Sequence, residues 1–90
     1  MLILMKNASL ARRLGTLIRQ LRLEEGLSQE EFADLCGLHR TYIGLIERGE
    51  KTITIETAQK IAMALKMPLS QLLLRLEQEE VESNNKHDDK

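Results

Sequence analysis

Between Gln29 and Arg48 the chain spaces Ala33, Gly37 and Ile43 four and then six residues apart, with Phe32, Cys36, Leu38 and Ile46 at the remaining apolar positions. Few arrangements suit that set. A small residue at Ala33 lets a neighbouring helix cross closely, and Gly37 permits the positive φ of a sharp turn. Leu38 fills the space under such a turn, while Ile43 and Ile46 anchor one face of the following helix on a core. The pattern predicts two short helices held rigidly at an angle, the second turning its other face outward.

The rest of the chain reads as helices too. It has one proline, five glycines and no strand-like alternation. Leu10, Leu14, Leu17, Ile18 and Leu21 form one stripe, with Ser9 as a candidate cap and Gly26 as a candidate left-handed end. Ser28-Gln29-Glu30-Glu31 has the form of a capping box. A third helix is predicted from about His39 to Arg48, closed by Gly49. A fourth starts after Thr54 and carries Ile55, Ala58, Ile61, Ala62 and Leu65. A fifth follows Pro68, which suits a first helical turn, and carries Leu69, Leu72, Leu73 and Leu76. The expectation is an all-α chain, a compact five-helix bundle with residues 1–8 as an N-terminal extension, 9–78 as the domain and 79–90 as an acidic tail.

Charge is unevenly placed. The chain has a net charge of −1, yet residues 1–66 carry ten basic and eight acidic side chains. The negative excess lies in Glu77–Lys90, which has no apolar residue after Val81. Ser83–Lys90 is therefore expected to be disordered, either as a solubilising end or in a regulatory role. What remains is a mildly basic domain. One Phe, one Tyr and no Trp argue against an enzyme pocket or a platform for single-stranded bases. One cysteine and two histidines leave no disulfide framework, zinc site or nucleophilic triad. No cofactor and no catalytic residue is expected. Cys36, at an inward position, reads as a buried, inert thiol. No apolar run approaches a membrane span, so the expected setting is the cytoplasm.

Two helices so arranged make a helix-turn-helix, which presents its second helix to the major groove of DNA. With Ile43 and Ile46 turned inward, Arg40, Thr41, Gly44, Leu45 and Arg48 point to solvent. Arg40 suits a bidentate contact with guanine, and Thr41 a thymine methyl or a base acceptor; the plainer alternative for Arg40 is an ordinary surface arginine. Gly44 in mid-helix costs about 1 kcal/mol against alanine, which points either to close approach of DNA or to a packing need. Gln29, with the free N–H groups at the start of the second helix beside Ser28, is placed to hold a phosphate. Arg48 and Lys51 flank the next turn as electrostatic partners, and His39 is a cap, spacer or phosphate contact. Arg12, Arg13 and Arg19 read as solvated.

The stretch LSQEEFADLCGLHRTYIGLIERGEKTITIETAQKIAMAL resembles the Cro/repressor-type helix-turn-helix domains, also called the xenobiotic-response-element family, over about Ile18 to Leu76. Within that family, HRTYIGLIERG is similar to the controller proteins of restriction–modification systems. The resemblance implies a lambda-repressor-like DNA-binding domain and a small homodimer that regulates its own operon. It implies a salt bridge between Arg22 and Glu47, and a phosphate contact for Tyr42, whose alternative is half-buried packing. Pro68 departs from the family pattern, which usually has a Ser or Thr cap there.

A single helix-turn-helix reads too few base pairs to find one site in a genome. Two-fold dimers solve this with half-sites about 34 Å apart. Leu69, Leu72, Leu73 and Leu76, with Leu74 beside them, are the candidate interface. The expected partners are palindromic double-stranded DNA, a second copy of the chain, paired dimers on DNA, and RNA polymerase. The alternatives are a phage-type repressor, an antitoxin, or a protein-interaction module that keeps the fold.

Overall fold

The computed structural model describes residues 2–88, and the side chains of residues 10–78. Five helices follow one another: α1 (Leu2–Glu24), α2 (Gln29–Cys36), α3 (Arg40–Glu47), α4 (Ile55–Ala64) and α5 (Leu69–Asp88). No strand occurs among the described residues, and no helix there is long and apolar enough to cross a membrane. α1 packs on α3 and α5, α2 on α3 and α4, and α4 on α5. Phe32, Leu17, Ile18, Ile43, Ile61 and Leu72 fill the centre, all fully buried.

Two of the expected boundaries move outward. Ser9 does not stand at the start of α1, which is already helical from Leu2. The expected domain start at residue 9 therefore falls inside a helix. α5 likewise runs through Asp88, where disordered chain was expected from Ser83. Both extensions contain good helix formers: Leu, Met, Lys and Ala precede residue 10, and Glu, Gln and Lys are frequent after residue 76. The side chains of 1–9 and 79–90, and the whole of Met1, Asp89 and Lys90, lie outside the described residues.

Stripes correct the sequence reading in two further positions. Leu10 and Ile55 were placed on inward faces, but both are exposed. At the end of α4 the chain turns without a glycine. Lys66 takes φ 63°, with its N–H donating to Met63 O at 2.9 Å and Met67 N–H donating to Ala62 O at 3.0 Å. This is a Schellman turn carried by a lysine. Pro68 O then accepts from the N–H groups of Gln71 and Leu72, so the proline occupies the cap position of α5 and contributes only its carbonyl.

Candidate nucleic-acid interface

The α2–α3 pair is held from its first residue. Ser28 caps α2 with φ −75° and ψ 166°. Its hydroxyl accepts from Glu31 N–H at 3.0 Å, and its own N–H donates to Glu31 Oε1 at 2.8 Å. The backbone N–H of Ser28, and secondarily its hydroxyl, hold the Glu31 carboxyl below its usual range. A carboxyl depressed in this way contributes stability above its unfolded-state pKa, and loses it as pH falls through the folded value. Ser28→Ala is expected to raise the Glu31 titration part of the way back, since the backbone donor remains. Carboxyl NMR shifts followed from about pH 2 to 7 would check this; an unmoved titration would mean the hydroxyl does not hold the carboxylate.

α2 ends where Gly37 takes φ 70°, with Leu38 N–H donating to Ala33 O at 2.9 Å. That left-handed residue reverses the chain within a few positions. His39 then stands at the N-cap of α3, extended and exposed, and its side chain makes no capping bond. Arg40 and Thr41 follow as the first two residues of α3, both exposed. Tyr42 is half-buried against the core, and Leu45 is half-buried rather than fully outward. Ser28, Arg48 and Lys51 are exposed, and Gln29 is half-buried. Of the first-helix arginines, Arg12 and Arg19 are exposed and Arg13 is half-buried.

Gly44 does not point to solvent as the helical wheel suggested: it is buried. A Cβ there would lie 3.2 Å from Arg48 Nη1 and 4.0 Å from Gln29 Nε2. The wheel fails because Arg48, one turn on, and Gln29, from α2, fold over the bare backbone. Gly44 is accordingly a packing position beneath Arg48 and Gln29 rather than a base contact.

One carboxylate joins three helices. Arg22 Nε of α1 donates to Glu47 Oε2 at 2.7 Å, and Arg22 Nη2 to Glu47 Oε1 at 3.0 Å. Gln29 Nε2 of α2 also donates to Glu47 Oε1, at 3.0 Å. Arg22 Nη1 completes the set by donating to Leu27 O at 2.7 Å. The two charged residues are 5% and 7% exposed, so the pair is bidentate and shielded from water. Gln29's role in this junction was not visible in the sequence, since a glutamine at the first turn of a helix carries no sign of its partner.

Gly15 was likewise missed. A Cβ on it would strike Ile46 O and come within 2.7 Å of Glu47 O. The last carbonyls of α3 thus rest directly on the backbone of α1. Gly49 repeats the theme with φ 73°, where a Cβ would fall 2.8 Å from Arg12 Cα. Cys36, 5% exposed, has its thiol pushed up to about 11 by burial.

The proposed leucine interface divides. Leu72 and Leu76 are 0% and 4% exposed within the single chain, because their face of α5 covers the core between α1 and α4. Neither can form a surface between two copies. Leu69 is half-buried, whereas Leu73 and Leu74 are exposed.

Comparison with known proteins adds to this geometry. The profile of the helix-turn-helix family matches residues 18–72. The control protein C.SmaI of Serratia marcescens is 45% identical over 58 residues, which span 64% of this chain and 69% of that protein. The control protein C.BamHI of Bacillus amyloliquefaciens is 43% identical over 60 residues, spanning 66% and 74%. Among solved structures, the restriction-modification controller protein C.AhdI from Aeromonas hydrophila superposes with a TM-score of 0.67 at 40% identity, covering 72% of this chain and 97% of that one.

Proposed function

The chain belongs to the helix-turn-helix family of transcriptional regulators and resembles its restriction–modification controller proteins; from that premise we propose that it works as a homodimer on a palindromic operator upstream of its own gene. The observation that carries the proposal is the pair Arg40 and Thr41, exposed at the first turn of a helix whose far end is locked to the core through Glu47. A reading helix needs both properties: free side chains at its start and a backbone that does not shift. Arg40 takes a guanine, Thr41 a thymine methyl or base acceptor, and Leu45 a neighbouring methyl group. Ser28, Gln29, His39, Tyr42, Arg48 and Lys51 form the phosphate-facing rim. Occupying the operator blocks RNA polymerase or touches it. The concentration of the chain itself sets occupancy.

The test is fluorescence anisotropy with duplex DNA from upstream of the gene against a scrambled duplex. A preference of about 10³ or more is expected. Arg40→Ala is expected to erase most of it, since each bidentate base contact discriminates by about 1–3 kcal/mol and a dimer makes the contact twice. Equal binding of both duplexes would overturn the reading, and a neighbouring gene's product would become the candidate partner.

Dimerisation is assigned to the exposed side of α5. Leu73→Glu is expected to leave the fold intact, give a monomer by sedimentation, and weaken operator binding at least about a hundredfold through lost avidity. A Leu73→Glu chain that still sediments as a dimer would move the interface elsewhere.

A further inference from the structure

The end of α3 holds an ion pair that the stability of the fold does not require. Arg48 Nε donates to Glu50 Oε2 at 3.2 Å, and both side chains are more than half exposed. Such a pair contributes little to folding. Its geometry is nonetheless fixed by the backbone. Gly49 N–H donates to Ile46 O at 3.0 Å and Glu50 N–H to Leu45 O at 2.9 Å, around a Gly49 that rests on Arg12. The backbone thus sets Glu50 within reach of Arg48, and the two side chains meet there.

The guanidinium meanwhile folds back over Gly44. Arg48 Nη1 and Gln29 Nε2 both lie within 4.0 Å of the point where a side chain at residue 44 would begin. Gln29 is steadied there by Glu47. Arg48 Nη1 and Gln29 Nε2 thus both lie over bare backbone, while Glu50 is bound to the same guanidinium through Nε. We propose that the Glu50 carboxylate stands in for a DNA phosphate on Arg48, so that Arg48 enters the DNA interface by exchanging one anion for another. This rests on the reading of α3 as a DNA reader.

The exchange has a thermodynamic mark. A cation that neutralises a phosphate releases a condensed counterion, which steepens the salt dependence of binding. A Glu50 set free beside DNA takes up a cation from solution, and the two terms cancel. Wild-type protein therefore shows one phosphate contact fewer than its cations would suggest. Glu50 acts as a governor on non-specific attraction, in a helix pair whose residues 28–52 carry five acidic and three basic side chains.

The test is a double-mutant cycle of Glu50→Gln and Arg48→Gln, read by anisotropy on the upstream and scrambled duplexes at several salt concentrations. Thermal melts, expected to coincide within about 3 °C, show that all four proteins fold. Glu50→Gln is expected to tighten binding about fivefold at low salt and to steepen the slope of log K against log salt by about 0.9. In the Arg48→Gln background the same change leaves the slope within a few tenths of where it was. A slope unmoved by Glu50→Gln overturns the proposal, as does a steepening of equal size without Arg48. Wild-type binding with no preference for the upstream duplex would instead overturn the operator reading alone, because the exchange shows on either duplex. A wild-type chain that binds neither duplex overturns both.

Discussion

Arg22→Ala is expected to cost about 3–5 kcal/mol of folding stability, a large part of the 5–15 kcal/mol that a small domain has in total. The loss is not that of one bond. Glu47 is 7% exposed in the intact fold; without Arg22 its carboxylate keeps only the Gln29 amide, and an uncompensated buried charge is the expensive outcome. Leu27 O also loses the donor that closes the turn after α1. Denaturant melts read the effect directly. Operator preference, measured where the variant is still folded, should fall far less, because Arg40 and Thr41 touch neither partner. The double variant Arg22→Met with Glu47→Leu should recover most of the stability, since removing both charges removes the desolvation problem. A midpoint for Arg22→Ala equal to wild type would mean the pair is structurally idle.

Gly15→Ala is the second large effect, and two opposing contributions decide its sign. In an exposed helix interior, alanine gains about 1 kcal/mol over glycine. Here the added Cβ meets the carbonyls of Ile46 and Glu47, which are backbone and cannot swing aside as a side chain would. Overpacking of this kind costs about 1–3 kcal/mol and sometimes more, so the net expectation is destabilisation by about 2 kcal/mol. Operator binding should weaken as well, because relief of the contact comes only from moving the end of α3. A melt at higher temperature than wild type would show that α1 and α3 have slack between them.

These two cases also mark the limit of what the chain discloses unfolded. The capping box at Ser28 and Glu31, the turn at Gly37 and the inward Ile43 and Ile46 are local matters, and local spacing makes them legible. Gly15 is different. A lone glycine in a helix says nothing of what crosses it, and the crossing helix lies some thirty residues further along. Gly44 misled for a related reason: a helical wheel shows where a residue points, but not which long side chain folds over it. On α5 the leucine excess leaves Leu73 and Leu74 exposed. The wheel could not say which leucines α1 and α4 would claim, and they claim Leu72 and Leu76. Lys66 was invisible as a turn because left-handed lysines are uncommon.

An eight-residue segment such as α3 has almost no helicity of its own in water, where short helices fail to nucleate. Its shape comes from Arg22, Gln29, Gly15 and the buried isoleucines, none of which reaches the outward turn at Arg40 and Thr41. Address and scaffold are thus written in separate residues. A lineage carrying this fold could exchange the letters at the outward turn, and with them the DNA word it answers to, without renegotiating how the domain stands up.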